Sequence, residues 1–294
     1  MKFITLALVT LLFCLNSYAQ ITFKWFGVTG FTLSDEKTTI VFDPAITRIG
    51  PLDYLPFRTV KTDEAEVDYW MNRCGLKSAS ATFVNHAHTD HVIDAPYVVK
   101  KFGGKLYGSS SVVNVGLGHG LSAKSVQQIK PGYYWTFGDF KIQPFLTPHP
   151  PHFLDTLLLD GHINKPLPTP TAASNYLVGD TFSFLITHPK GRILFQSVAE
   201  IEQKDPLKDI KADIVLLSIA NRTSTEHLIE KRINPSGART VIPLHHDNFL
   251  FKMRRDDDLD YLWGVKASEF TEALEKKSKA KIYWPKYCET KLIL

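Results

Sequence analysis

With three cysteines in 294 residues, the chain is not a disulfide-built scaffold. Cys14 lies in the opening apolar stretch, and Cys74 and Cys288 lack the close spacing of a zinc–thiolate site. These two can pair in an oxidising compartment, or Cys74 can sit as a buried thiol on an apolar helix face. Charge of one sign is also lacking. The formal net charge is +4 and the basic residues are scattered rather than striped, so the electrostatic footprint of a nucleic-acid binder is absent. No apolar run has the ~20 residues that span a bilayer. Glycine and proline are ordinary, aromatics plentiful, and neither short-period repeats nor a domain linker interrupt the chain. What is left is a folded chain with a sizeable core.

The start reads as an export signal. Lys2 gives a positive end, Phe3–Leu15 is almost wholly apolar, and Ser17-Tyr18-Ala19 offers small residues for cleavage after Ala19. A membrane anchor and a lipoprotein site at Cys14 rank lower, the second because Phe13 is bulky. Residues 1–19 are therefore expected to be a signal peptide and 20–294 the folded domain. The protein would be periplasmic in a Gram-negative host and secreted otherwise.

After the signal, short strands and helices alternate. Strands are predicted at Ile21–Phe26, Phe31–Leu33, Thr39–Phe42, Ala81–Asn85, Lys105–Tyr107, Val126–Ile129, Tyr133–Phe137 and Phe140–Leu146. A hairpin follows over Phe182–Thr187 and Arg192–Phe195, then strands at Asp213–Ile219, Thr240–Leu244 and Lys281–Trp284. Val67, Trp70, Met71 and Cys74 recur at helical spacing over residues 62–74, ended by Gly75. Ala95–Lys101 and Ala267–Lys279 also read as helices, and Thr223 with Glu226 as a capping box opening one that runs to Ile233. Two strand-then-helix halves imply an α/β fold with sheets inside and helices outside. The proline-rich stretch 148–173 is expected to be a lid or substrate wall.

The chemistry concentrates in His86-Ala87-His88-Thr89-Asp90-His91, directly after a buried strand. Imidazole and carboxylate are ligands zinc takes readily. In extended chain, residues two apart point the same way, so His86 and His88 can grip one ion while Asp90 and His91 face a second. Asp94 can orient a ligand or favour a helix N-terminus, and Asp43 is aimed from the end of its own strand. More ligands must come from later strand ends. The candidates are His149 or His152 after Leu146, and His245 or His246, with Asp247, after Leu244. The first histidine of each pair is favoured. His119 lies in the glycine-rich Gly116-Leu117-Gly118-His119-Gly120, which reads as a turn, His162 reads as a loop residue, His188 as an exposed turn residue and His227 as surface.

In these motifs, together with Trp25–Phe31, Phe42-Asp43-Pro44, Asp94-Ala95-Pro96 and Ala212-Asp213-Ile214, the chain resembles the metallo-β-lactamase superfamily. The nearer branch is the hydrolases related to ascorbate-phosphate lactonase. The resemblance implies a four-layer αββα sandwich with metals at one sheet edge. It puts His86, His88 and His149 on one zinc and Asp90, His91 and His245 on another. It also shows a departure. Many members carry a metal-bridging Asp after the strand matching Ile193–Phe195, and here Ser197 is the nearest match, with Glu200 displaced. Asp247 can compensate for it, and one or two zinc ions are expected.

Bound zinc lowers the pKa of a coordinated water to about 7 and polarises a carbonyl or phosphoryl oxygen. With Asp90 orienting the water, the expected activity is hydrolysis of an ester-like bond in a small molecule: a lactone, a phosphodiester or a related ester. Phe153 with Leu157–Leu159, and Tyr133-Tyr134-Trp135, suggest a partly hydrophobic substrate. Arg222 and Lys252–Arg255 can attract an anionic group, although a solvated face balanced by Asp256–Asp258 is preferred. The rivals are a non-catalytic exported metal-binding protein, a redox enzyme of the same fold using iron, which no flavin partner domain or all-carboxylate site supports, and a minor β-lactamase activity.

Overall fold

The computed structural model describes residues 20–151, 156–199, 201, 204–256 and 258–294. The signal-peptide reading, His152, Phe153, Glu200 and Asp257 lie outside those residues. Among the described residues no helix is long and apolar enough to cross a membrane.

The first half contributes strands β1 (Thr22–Trp25), β2 (Phe31–Ser34), β3 (Thr39–Phe42), β4 (Ala81–Phe83), β5 (Leu106–Gly108) and β6 (Val126–Gln128). Its helices are α1 (Glu64–Arg73), α2 (Thr89–Val92), α3 (Ala95–Phe102) and α4 (Ser110–Gly118). The second half contributes β7 (Trp135–Phe137), β8 (Phe140–Leu146), β9 (Phe182–His188), β10 (Gly191–Gln196), β11 (Ile214–Ser218), β12 (Thr240–Leu244), β13 (Lys281–Ile282) and β14 (Lys291–Leu292). Its helices are α5 (Thr225–Leu228), α6 (Asn234–Ser236) and α7 (Ala267–Lys277), and a π-helical turn over Ile229–Ile233 joins the first two. The strands make two seven-stranded sheets, β14-β1-β2-β3-β4-β5-β6 and β13-β12-β11-β10-β9-β8-β7.

Side-chain alternation explains the layers. On β11, Ile214 and Leu216 join the aromatic cluster between the sheets, with Phe31, Phe42, Phe83, Phe184 and Phe195. Val215 and Leu217 point the other way, onto Leu228, Ile229, Ile233, Phe270 and Leu274 of the second half's helices. In the first sheet, Val41 meets α1 and α3 through Val67, Trp70, Met71 and Val98, and Leu106 meets α4 through Val112 and Val115. A strand buried on both faces must be apolar at every position, as the continuous runs of β11 and β12 are. The result is the expected αββα sandwich.

Parallel pairing sets the site. β3 runs parallel to β4 in one sheet, and β10, β11 and β12 run parallel in the other. β8 is antiparallel to β9, which is antiparallel to β10, so β8 shares their direction. The ends that precede Asp43, His86, His149, Ser197 and His245 therefore open at the sheets' carboxyl edges.

Several local expectations need correction. Gly116-Leu117-Gly118 is not a turn but the last turn of α4. A Cβ on Gly118 would lie 1.9 Å from the backbone of Leu167, so glycine there serves close packing. The second-half helix is capped by Ser224, whose hydroxyl accepts from His227 N, and not by Thr223. His188 is buried, against the Phe140 ring and 3.6 Å from Asp35, because neighbouring turns fold over it. The stretch after 160 is scaffold, since Ile163 and Leu167 pack under α4 and Leu167 N donates to Asn114 O. Cys74 and Cys288 are joined, fastening the C-terminal arm to the end of α1.

His119 caps α4 as a buried group, with Nε2 3.2 Å from Tyr176 Oη. Burial, aided by the charge of Lys100, pushes its pKa down from 6.5 to about 4. Between those values the unfolded chain binds a proton that the folded chain refuses. Its contribution is thus present above the unfolded pKa and lost as pH falls through the window. In urea titrations of the metal-free chain, the midpoint is expected to drop from pH 7 to pH 5, and His119→Gln to flatten that drop. An unchanged slope would contradict the assignment.

Candidate metal centre

Six side chains converge between the strand ends. Ligand atoms of His86, His88 and His149 all lie within 4.8 Å of one another, and so do those of Asp90, His91 and His245. His86 Nε2 is 3.1 Å from His88 Nδ1. Asp90 Oδ2 is 3.5 Å from His91 Nε2 and 3.3 Å from His245 Nε2. The rings of His86 and His91 are 4.0 Å apart, so the two groups adjoin.

Which ring nitrogen faces the centre is set by its other neighbour. His86 Nδ1 donates to Asn85 Oδ1, leaving Nε2 as a lone pair. His149 Nδ1 donates to Pro150 O at 2.7 Å. His91 Nδ1 lies 2.9 Å from Thr29 Oγ1 and 3.2 Å from Asp43 Oδ2. Asp43 is fully buried and also accepts from Thr29 Oγ1, Asn85 N and the Asn85 side-chain amide. Asp43 thus anchors the His86–His91 loop at both ends, through Asn85 and His91. Thr29 and Asn85 are orienting residues that sequence reasoning did not single out. The only local signal was an Asn directly before His-x-His.

The electrostatics favour a cation. Burial, with His91, His88, His149 and His245 close by, holds His86 well below the usual imidazole range. Burial opposes ionisation of Asp90, but His91, His245 and His88 outweigh it and hold the carboxyl below its usual range. Burial likewise opposes a charged His91, and Asp90 with Asp43 outweighs it and raises the pKa. Five crowded imidazoles around one ionised carboxylate leave lone pairs facing one another. A metal ion there would replace the missing protons, and the donor set fits zinc.

The remaining candidates fall elsewhere. Ser197 borders the cavity but donates to Phe182 O at 2.7 Å, so its hydroxyl is committed to the backbone. Asp247 accepts from Val28 N, Arg48 Nη2 and Tyr287 Oη and belongs to neither ligand group, so it does not replace the bridging acid. His246 is buried against Trp25, with burial pushing its pKa down to about 4. Asp94 neither orients a ligand nor caps a helix through its side chain. It accepts from Ile46 N, Thr47 N and Thr47 Oγ1, fixing the loop after β3, and burial pushes its pKa up to about 6. A third group, Asp35, Asp139 and His188, has suitable spacing. There His188 Nδ1 accepts from Lys190 N, which places the ring proton on Nε2, the nitrogen facing Asp35.

The cavity is about 50 Å³, walled by Val198, Ala199, Ser218, Ala220 and Phe249 besides the ligands. That is room for metal ions and a few waters. Beside His149 a groove of about 350 Å³ carries Leu146, Leu157 and Pro206. Tyr134 lies under Lys141, and Trp135 packs on Phe83 and Tyr107, so that aromatic run is not a wall of the cavity. Arg222 is spent on Ile219 O and Val265 O, while Arg254 pairs with Asp256 and Asp258 and Arg255 with Glu66. The basic cluster is the balanced face.

No protein-family model and no curated protein sequence matches the chain. Solved structures do. A metallo hydrolase from the hyperthermophilic archaeon Ignicoccus hospitalis, Igni18, aligns with TM-score 0.59 at 18% identity, over 93% of this chain and 98% of that one. The metallo-β-lactamase fold protein YhfI from Bacillus subtilis gives 0.58 at 12%, over 92% and 99%. CmlA, a diiron β-hydroxylase from Streptomyces venezuelae, gives 0.54 at 12%, over 94% of this chain and 54% of that one. The fold of this chain is the metallo-β-lactamase fold.

Proposed function

We propose that this metallo-β-lactamase-fold chain is an exported metal-dependent hydrolase. It would use one or two zinc ions to cleave an ester-like bond, in a lactone, a phosphodiester or a related ester. The observation that carries the reading is the pair of adjoining ligand groups at the strand ends, with Nε2 of His86, His91 and His149 freed toward the centre by fixed Nδ1 partners. The histidine-rich donor set supports zinc. Bound there, it supplies a water ionised near neutral pH and a Lewis acid for the scissile group.

The chain's own residues do the rest. Asp90 is the one carboxylate lining the cavity among the described residues, and its ionised oxygen can take a hydrogen bond from the attacking water. Val198, Ala199 and Phe249 give the cavity an apolar wall. The groove beside His149 suits an apolar arm on the substrate, as the lactonase-related branch of the resemblance would allow. The Lys2–Ala19 signal supports export, and the Cys74–Cys288 bond suits an oxidising compartment.

The test is a panel of acyl lactones, aryl phosphodiesters, simple esters and a β-lactam, offered to the zinc-loaded mature chain before and after chelation. Turnover of one ester class that chelation stops and zinc restores is expected. Turnover untouched by chelation would refute the metal mechanism, and a β-lactam as best substrate would overturn the substrate class.

A further inference from the structure

Resting on the reading of His245 as a metal ligand, we infer that Arg48 is a positioning residue that sets metal affinity at the Asp90–His91–His245 position, by holding the His245 loop through Asp247.

His245 enters the site in a left-handed backbone conformation, φ 59°, which a side chain adopts only when its surroundings enforce it. One enforcing contact is the bond from His245 N to Val28 O, 2.8 Å. Val28 is itself left-handed, φ 50°, and its N donates to Asp247 Oδ1 at 2.7 Å. The two turns therefore hold each other, and Asp247 closes the ring two residues after His245.

Asp247 is fully buried, so its charge needs a partner. Arg48 provides it, Nη2 to Oδ2 at 2.8 Å, with only 2% of its side chain exposed. Tyr287 Oη adds a bond to the same oxygen at 3.1 Å. Gly27 makes room: a Cβ there would fall 2.1 Å from Arg48 Nη2 and 2.9 Å from Asp247 Oδ2. Among the described residues Arg48 Nε finds no hydrogen-bond partner. A guanidinium so buried and so sparsely satisfied is held for its one ion pair. Without it, the Asp247 carboxylate must move toward water, carrying the Val28 and His245 turns with it. The His86–His88–His149 position shares none of these bonds and should be indifferent.

Zn2+ alone is the probe. The metal-free full mature chain, Arg48→Gln and Arg48→Lys are titrated calorimetrically, with thermal melts of each. Wild type is expected to take two ions. Arg48→Gln should keep one affinity unchanged and weaken the other by about 10–100-fold, the usual effect of removing a ligand's supporting partner. Arg48→Lys, which keeps the charge, should recover most of the loss. Two wild-type affinities surviving in Arg48→Gln would overturn the inference alone. So would equal weakening of both ions, the mark of a merely structural role, or a wild type that binds one ion. A wild type that binds none would overturn the metal reading as well.

Discussion

Asp90→Asn is expected to lower kcat/KM by about 10³-fold or more while the chain stays folded, because it removes a ligand and the water-orienting base together. The substitution keeps size and shape and deletes only charge. That charge is present at neutral pH: burial works against it, but His91, His245 and His88 hold the proton off. Its Oδ2 lies between His91 Nε2 and His245 Nε2, so an amide there would give an ion held by the three a weaker ligand. Helix α2 and the bond from His91 N to His88 O do not depend on the carboxylate, so far-ultraviolet dichroism should not change. Wild-type turnover in Asp90→Asn would remove Asp90 from the mechanism.

Asp43→Ala is expected to cost about 3–5 kcal/mol of stability, or roughly 10 °C in Tm for a domain of this size. One buried carboxylate serves Thr29, both Asn85 donors and His91, and alanine leaves those groups facing nothing. Asp43 also sits at φ 42°, a conformation aspartate and asparagine tolerate better than alanine. Asp43→Asn should therefore lose much less stability yet still loosen His91 and Asn85, weakening metal binding by about 10–100-fold. Melting and zinc titration of the two variants separate the structural share from the orienting share. Equal Tm for wild type and Asp43→Ala would contradict the anchor role.

These two residues also mark how far the sequence could be read. His86–His91 was legible because its donors are contiguous and follow a buried strand. His149 and His245 were legible because each follows an apolar strand whose end must open at the same sheet edge. The inner and outer faces of β11 and β12 followed from continuous apolar runs. What stayed hidden depends on chain segments that meet only in three dimensions. Thr29, Asn85 and Arg48 look like ordinary polar residues until Asp43 and Asp247 come against them. His188 read as exposed because Phe140 on β8 and Asp35 in the turn after β2 arrive from distant parts of the chain, and α4 was missed because two glycines that serve packing looked like a turn. Asp247 looked like a substitute ligand because its sequence neighbour His245 faces the site, while its own carboxylate turns to Arg48.

In the proposed mechanism, two adjoining ligand groups hold metal without a bridging aspartate among the described residues. Elemental analysis of the purified mature chain, beside His88→Ala, tests it most directly. One to two zinc per chain are expected, with the His88→Ala protein folded but clearly depleted. No bound metal after zinc loading, or metal retained in full by His88→Ala, would contradict it.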